Sequence, residues 1–291
     1  MGAGVVGATL ARALTAAGHP VAAVTSRTPA SAQRLASGVP GCLAVETAQA
    51  VADRCDLALL TVPDDAIAEV ASSVQWRPGQ AVVHCSGATP LSALEPAAQC
   101  GALIGAFHPL QTFAGTDQPP SVLEGIAFAV EAPAALLEKL QNMARALGGW
   151  PIELDGRDRA LYHVSAVAVC GFVTTLMRAS AELWDRFEGT GSGGADQGLR
   201  ALLPLARHTL ESIGRRGLPE AMTGPMARGD VGTVRRHLEA LETADSEFRR
   251  LYCHLALAAL PLARAKGGLD PDREREMESL LQEALEPVGV S

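Results

Sequence analysis

The first seven residues carry a glycine pattern that could bind phosphate groups. Its spacing is G-x-G-x-x-G, followed directly by a helical stretch and then a β-branched run. One glycine makes a tight turn, one lets a pyrophosphate approach the backbone, and one lets helix and sheet pack closely. The sequence therefore predicts a dinucleotide site here, with a glycine-rich turn that binds nothing as the alternative. The predicted contact residues are Gly2, Ala3, Gly4, Val5, Val6 and Gly7.

The end of the next predicted strand indicates which dinucleotide binds. An Asp or Glu about 20 residues past the fingerprint would bind a ribose 2′-hydroxyl and favour NAD. Here the run Val21–Thr25 ends in Ser26 and Arg27, and no acid is present. A hydroxyl and a guanidinium suit a 2′-phosphate, because arginine forks onto phosphate oxygens. We predict NADPH (NADP) as the cofactor; the alternative is that Arg27 is a solvated loop residue.

Polar residues follow three later β-branched runs, at the strand ends where parallel sheets bind ligands. The first run ends in Val62 and Pro63, which we expect to border the nucleotide, and in two aspartates that either cap a helix or contact a ligand. The second run ends in Ser86, which either bonds the nicotinamide or substrate, or holds a turn. The third ends in His108, fixed by a following proline, as a site residue or a structural histidine.

Three residues of the second half could act on a substrate. His163 opens a long predicted helix, and histidine can donate a proton near neutral pH. Gly171 lies on the same helical face, where a ligand or another helix would come close. Arg228 lies in a compact loop and could bind a carboxylate, unless that loop only connects two helices, with Asp230 as the N-cap of the second. We predict His163, His108 and Ser86 as catalytic, and His108, Gly171 and Arg228 as substrate-binding.

The elements that position these residues fall into two halves. Short β-branched runs alternate with Ala-rich helical stretches up to about residue 155, which predicts a mostly parallel sheet covered on both faces. After Asp155 the pattern indicates only helices, over 157–187, 197–215, 231–242, 246–265 and 271–286, with a glycine-rich link at Glu188–Gly198. We predict an α/β Rossmann-type domain over 1–155 and an all-helical domain for substrate binding and dimerisation over 156–291.

One strand of the expected sheet has no sequence to form it. The strand that leads into Gly2 is normally the central one, yet only Met1 precedes that glycine. An empty slot would leave backbone groups unpaired on both neighbouring strands. We therefore expect a gap in the sheet or a substitute for the strand, and we expect the natural chain to begin roughly 8–12 residues earlier with an apolar run.

Composition excludes several classes of protein. The chain has 291 residues, 48% of them hydrophobic and 19% charged, so it folds, into about two domains. Its net charge of −8 argues against nucleic-acid binding. Its six cysteines show no C-x-x-C spacing, so we predict reduced thiols and no metal site. No apolar stretch approaches the roughly 18 residues needed to cross a bilayer, and we expect a cytoplasmic protein without membrane contact.

Motifs along the whole chain follow the order typical of one bacterial family. They are the fingerprint, Ser26-Arg27, VPDDAI at 62–67, HCSGA at 84–88, HPLQTF at 108–113, Tyr162-His163, and TGPMARGD at 223–230 followed by His237-Leu238. The chain resembles bacterial proteins that join an NAD(P)-binding Rossmann-like domain to a C-terminal helical domain of unknown function. The resemblance implies kinship with pyrroline-5-carboxylate and ketopantoate reductases, and more distantly with 3-hydroxyisobutyrate and 6-phosphogluconate dehydrogenases. Relatives carry Asn where this chain has Gly171.

Together with the residues above, this resemblance predicts an NADPH-dependent oxidoreductase. Hydride would pass to a small 2-oxo acid, such as ketopantoate, or to a cyclic imine, in the cleft between the domains. The residues lining the substrate would be Ser86, His108, His163 and Arg228. The alternative is a non-catalytic NADP(H)-binding sensor or scaffold, which the missing amide at Gly171 favours. The resemblance also implies a homodimer through the helical domains, where the runs Leu199–Ile213 and Leu251–Leu262 could bury the interface.

Overall fold

A computed structural model describes residues 1–115, 118–187 and 194–286. The chain separates into two units, Met1–Cys170 and Gly171–Ser291. The predicted boundary at residue 155 lies too early, because buried Arg159 bonds back to a strand of the first unit and holds residues 156–170 in it. Most of the glycine-rich link predicted at Glu188–Gly198 lies outside the described residues.

The first unit is the predicted α/β domain with a mostly parallel sheet. Its strands are β1 (Ala23–Val24), β2 (Leu43–Ala44), β3 (Leu57–Leu60), β4 (Ala81–His84), β5 (Leu103–Pro109), β6 (Ala127–Glu131) and β7 (Trp150–Glu153). Its helices are α1 (Val5–Ala16), α2 (Pro29–Ser37), α3 (Ala48–Ala52), α4 (Ile67–Ser72), α5 (Glu95–Gln99), α6 (Ala134–Ala146) and α7 (Arg159–Val167). All neighbouring strands are parallel except β5 and β6.

Apolar side chains that alternate along the strands divide between the two faces of the sheet. Val83, Phe107 and Phe128 pack with residues of α1 and α6 on one face, with the two phenylalanine rings stacked at 4.7 Å. Leu60 and Val82 pack with residues of α3, α4 and α5 on the other face. Because both faces are buried, the strands are continuous apolar runs, as the sequence indicated.

The sheet is interrupted where the first strand is expected. β1 and β2 form a separate pair, and β3 to β7 form a five-stranded sheet. A groove of about 620 Å³ runs between β1 and β3. Only its end is bridged: the Gly2 N–H donates to Thr25 O at 2.8 Å, and the Met1 ammonium donates to Leu59 O at 2.6 Å. The predicted gap is therefore present.

The predicted helix over 157–187 is helical throughout, but it is not one regular α-helix. It consists of a 3₁₀ turn at Gly156–Asp158, α7, a π turn at Ala168–Phe172, α8 (Val173–Glu182) and a second 3₁₀ turn at Leu183–Arg186. The wider π turn contains Gly171 and breaks the regular spacing on which the shared face with His163 was predicted.

The same segment corrects the expectation that no stretch could cross a bilayer. By length and composition alone Gly156–Arg186 is long and apolar enough to do so, with a mean hydropathy of 1.7 over its most apolar window. The expectation considered only uninterrupted apolar runs, whereas a hydropathy averaged over 18 residues tolerates isolated polar residues. A single such helix is weak support for a membrane span, and the cytoplasmic location stays a prediction.

All regular secondary structure in the described residues of the second unit is helical. After α8 it contains α9 (Ala195–Arg216), α10 (Leu218–Ala221), α11 (Pro225–Arg228), α12 (Val231–Ala244), α13 (Ser246–Lys266) and α14 (Pro271–Glu283). α12, α13 and α14 share an apolar core that includes Val234, Leu260 and Met277. Asp230 accepts from the Thr233 N–H at 3.0 Å and caps α12, as predicted. The predicted helices after residue 197 are confirmed.

A candidate nucleotide and active site

The three fingerprint glycines occupy three different environments. Gly2 has φ of +103°, and a Cβ there would lie 2.5 Å from Thr61 O. A Cβ on Gly7 would collide with Gly2 O and lie 2.5 Å from Thr61 Oγ1. Gly4, in contrast, faces open space. The first and third glycines thus allow the turn and the close packing, and the middle one leaves the approach to the backbone clear, as a bound pyrophosphate requires.

The N-terminus of α1 is free to bind an anion. Gly4 is its N-cap, no side chain caps the helix, and its first turn holds no acidic residue. The first N–H groups of the helix therefore have no side-chain acceptor, and the helix dipole places partial positive charge there. These residues fit the pyrophosphate of a dinucleotide.

The residues predicted to distinguish NADP from NAD lie just beyond β1. Arg27 is exposed, and the Thr28 N–H donates to Ser26 Oγ at 3.4 Å. Val62 and Pro63 directly follow Thr61, whose hydroxyl donates to Gly2 O at 2.9 Å. The structure thus brings the fingerprint and the end of β3 together, and the four residues that follow β1, 25–28, include no acid.

The Ser86 side chain holds a turn. Its hydroxyl donates to Asp64 Oδ2 at 2.7 Å and accepts from the backbone N–H groups of Ala88 and Thr89 at 3.2 and 3.0 Å. One donor and two lone pairs are all that a serine hydroxyl has. Ser86 is therefore saturated within the chain, which corresponds to the turn-serine alternative. The Asp64 side chain does not cap the helical turns that follow it but fixes this loop, and its predicted contact with a ligand stays a prediction.

Two histidines and a tyrosine converge beside that loop. His108 Nδ1 lies 2.7 Å from the Tyr162 hydroxyl, and the His108 and His163 rings cross edge to face at 6.4 Å. A Cβ on Gly87 would lie 2.8 Å from His163 Cδ2 and 2.9 Å from His108 Nε2. Glycine at position 87 is thus what lets both imidazoles reach the loop.

A buried ion pair holds the helix that carries Tyr162 and His163. Arg159, in the first turn of α7, is 1% exposed and donates from Nε and Nη2 to Glu131 Oε2 at 3.0 and 2.5 Å. Its Nη1 donates to Ser86 O at 3.2 Å. Arg159 therefore fixes α7 against both β6 and the Ser86 loop.

Burial makes His108 and the neighbouring His84 poor bases. Burial first, then the charges of His163 and Arg159, lower the pKa of His108 to about 4, against a raising effect of Asp64. Burial also lowers the pKa of His84, at the end of β4, to about 4, and neither of its ring nitrogens has a hydrogen-bond partner among the described residues. Burial raises the pKa of Tyr162 to about 12. His84, His108 and Tyr162 are therefore all uncharged at neutral pH.

The structure brings together some of the predicted site residues and not others. His108, His163 and Ser86 lie in the first unit and are linked through Tyr162, Gly87 and Arg159 as described above. Gly171 lies exposed in the π turn, and Arg228 ends α11 with an exposed side chain. Both belong to the second unit, so their substrate roles stay predictions.

Four residues of the cluster were not predicted from the sequence. Gly87 lies in the HCSGA motif beside Ser86, and Tyr162 directly precedes His163. These motifs could therefore have indicated both residues. Arg159 precedes Tyr162 by three residues, one helical turn, which is a weaker hint. Glu131 carries no local signal, because a carboxylate at the end of a strand is ordinary until its partner is known.

Comparison with known families agrees with the two-part organisation of the chain. Residues 1–109 match the model of a Rossmann-like domain, and residues 126–259 match that of the domain of unknown function DUF2520. No curated protein matches the sequence.

Solved structures share the fold over nearly the whole chain. A Bacteroides fragilis protein provisionally designated an NADP oxidoreductase is 26% identical, with a TM-score of 0.70 over 89% of this chain and 96% of its own. A reductive aminase from Aspergillus terreus in complex with NADPH and ethyl-5-oxohexanoate is 17% identical, with a TM-score of 0.58 over 98% and 91%. Pyrroline carboxylate reductase from Plasmodium falciparum with NADP bound is 14% identical, with a TM-score of 0.58 over 92% and 96%. The last two show likeness of fold alone.

Proposed function

We propose that this chain, which joins a Rossmann-like domain to a DUF2520 domain, is an NADPH-dependent oxidoreductase that reduces a small carbonyl or imine substrate. One observation carries the proposal: the glycine cradle of α1 packs against Thr61 at the end of β3, and the His108–Tyr162–His163 cluster lies at the end of β5 and beside the loop that follows β4, in the same sheet. The carboxyl edge of a parallel sheet is where such folds bind their ligands. The structural neighbours that are NADP oxidoreductases support the class of reaction and leave the substrate open.

NADPH is proposed over NADH because of the end of β1. Arg27 is an exposed guanidinium where NAD-binding proteins place an acid, and Ser26 adds a hydroxyl beside it. A fluorescence titration should show NADPH binding at least about tenfold more tightly than NADH, roughly 1.4 kcal/mol. Arg27→Ala should remove the preference, while Arg34→Ala, an equal loss of charge on α2, should keep it. Equal affinities of the unchanged protein for both nucleotides would contradict the assignment.

The residues divide the work of reduction among them. When bound, the reduced nicotinamide supplies hydride to the substrate carbon, and the cluster of His108 and His163 supplies the proton. Ser86 fixes the loop on which the cluster rests. Arg228 is the proposed anchor for a substrate carboxylate. This favours a 2-oxo acid resembling ketopantoate, with a cyclic imine as the second candidate.

The decisive experiment separates binding from turnover. NADPH affinity is first measured alone, and NADPH oxidation is then followed over a panel of 2-oxo acids and cyclic imines. Oxidation with a 2-oxo acid supports the proposal, and Arg228→Ala should then raise KM for it. Tight binding without oxidation of any panel member supports the second candidate, a nucleotide-binding sensor or scaffold. That candidate is favoured by Gly171, where the family resemblance leads us to expect an asparagine amide that would orient the substrate.

We also propose that the protein is a homodimer built around its helices. Leu205 and Leu210 of α9 are 63% and 59% exposed, and in the preceding helical segment Val169 and Phe172 are 70% and 63% exposed. Large apolar side chains exposed in such number indicate a surface that another chain covers. Light scattering at micromolar concentration should give twice the monomer mass, and Leu210→Glu should lower that mass. A monomer mass for the unchanged protein would exclude the proposal.

A further inference from the structure

Tyr162 has a partner that determines the state of both groups. Its hydroxyl lies 2.7 Å from His108 Nδ1, across 54 residues of sequence. Burial keeps the phenol protonated and the imidazole neutral, with pKa values of about 12 and about 4. A neutral phenol donates readily to an imidazole lone pair, and a neutral imidazole carries only one proton. When the phenol is the donor in this bond, the His108 proton lies on Nε2.

The Nε2 side of the His108 ring faces away from Tyr162 and towards Gly87, in the loop that follows β4. A Cβ on residue 87 would lie 2.9 Å from Nε2 and Cε1, so the glycine places no side chain against this side of the ring. His108, Tyr162 and His163 all keep part of their surface exposed, unlike His84 and Arg159 behind them. An N–H group held in this way by a hydrogen bond on the opposite nitrogen has a fixed direction.

We propose that His108 and Tyr162 act as one proton-delivery pair, in which His108 Nε2–H touches the substrate oxygen and Tyr162 is the positioning residue behind it. This inference rests on the proposed function and adds to it the choice of His108 over His163 as donor, and Tyr162 as a member of the site.

The transfer balances in atoms and electrons. Hydride from NADPH forms the new C–H bond, and the electron pair of the C=O π bond moves to oxygen. That oxygen takes the proton from His108 Nε2, while Nδ1 takes the proton of the Tyr162 hydroxyl. The imidazole thus remains neutral, and the tyrosinate regains its proton from water. A neutral donor is suited to a developing alkoxide, which is a strong base.

The groups around the pair leave it uncharged. From α7, His163 and Arg159 face His108, and Arg159 is paired with Glu131. From the end of β3 comes Asp64, which accepts the Ser86 hydroxyl. From β4 comes His84, itself neutral. The rate of hydride transfer should therefore be flat across neutral pH, whereas an ordinary histidinium donor would lose activity as the pH rises through about 6.5.

Tyr162→Phe tests the pair, with Tyr252→Phe as the matched control. The control removes the same kind of bond, from Tyr252 Oη to His237 Nδ1 at 2.9 Å, in the second unit. In single turnovers with NADPH, Tyr162→Phe should slow reduction of a 2-oxo acid about 100-fold. It should leave NADPH affinity unchanged and slow a cyclic iminium ion far less, because that nitrogen already carries its proton. Tyr252→Phe should behave like the unchanged protein.

¹⁵N NMR of the NADP complex gives a second readout that needs no turnover. In the unchanged protein the His108 signal should show Nε2 protonated and Nδ1 unprotonated between roughly pH 6 and 8. In Tyr162→Phe the two tautomers should become mixed. A proton on Nδ1, or titration of His108 within that range, would overturn the pair.

The outcomes separate this inference from the proposed function. If NADPH is oxidised with no 2-oxo acid and no cyclic imine, the proposed function fails, and the pair fails with it as a proton donor. If only cyclic imines are reduced, the proposed function stands and the pair alone fails. If the unchanged protein turns over and Tyr162→Phe matches it in rate and pH profile, only the pair fails. Equal slowing of the 2-oxo acid and the iminium ion would show a merely structural role for Tyr162.

Discussion

Removing the Arg159 side chain should destabilise the first unit. Arg159 is 1% exposed and makes three hydrogen bonds, two to Glu131 and one to Ser86 O. In Arg159→Ala the Glu131 carboxylate loses its counter-charge, and the Ser86 carbonyl loses its hydrogen-bond donor. Removing one partner of a buried ion pair in this way costs about 3–5 kcal/mol. Because the Glu131 side chain keeps 19% of its surface exposed, water can replace part of the loss. We expect about 3 kcal/mol, or a melting temperature lower by about 6–12 °C.

Calorimetric melting of three variants would test this value. Arg178→Ala is the control, because it removes an arginine from an i,i+4 pair whose partners are 65% and 47% exposed, which should cost no more than about 0.5 kcal/mol. Replacing both Arg159 and Glu131 by Met should recover much of the loss, since an apolar pair leaves no buried charge. If Arg159→Ala has the same melting temperature as Arg178→Ala, the ion pair does not hold α7 to the sheet, and the prediction is wrong.

Three further outcomes follow from the first unit. Gly87→Ala should lower turnover at least about tenfold with little change in melting temperature, because its Cβ would lie 2.8 Å from Cδ2 of His163. Gly38→Ala, whose Cβ would lie 3.7 Å from the nearest atom, is the control, and equal turnover of the two variants would contradict the prediction. The free energy of unfolding should fall as the pH drops from 6.5 towards 4. In that range the imidazoles of His84 and His108 bind protons in the unfolded chain, whereas in the folded chain burial lowers their pKa to about 4. Urea unfolding that gives the same free energy at every pH in this range would refute the prediction. An apolar extension of about five residues before Met1 should enter the groove beside β3 and raise the melting temperature, whereas a polar extension of equal length should not. Equal melting temperatures of the two extended proteins would show that the groove accepts no strand.

The local parts of this protein could be predicted from its sequence. The turn at Gly2, the open face at Gly4 and the start of α1 depend on backbone geometry within a few residues, which glycine spacing records. The cap of α12 at Asp230 is local for the same reason. A gap in the sheet was one of the two alternatives that the sequence left open, and the structure shows it between β1 and β3.

The chemistry of the site was decided by the tertiary structure. Which nitrogen of His108 carries the proton depends on Tyr162, 54 residues away. Whether the Ser86 hydroxyl is free to bind a ligand depends on Asp64, 22 residues away. The register of β4 and β5 and the burial of Arg159 against Glu131 bring these groups within bonding distance. Sequence patterns record the preferences of each segment for its own conformation and face. They do not record distances between segments, and hydrogen bonds and pKa values depend on those distances.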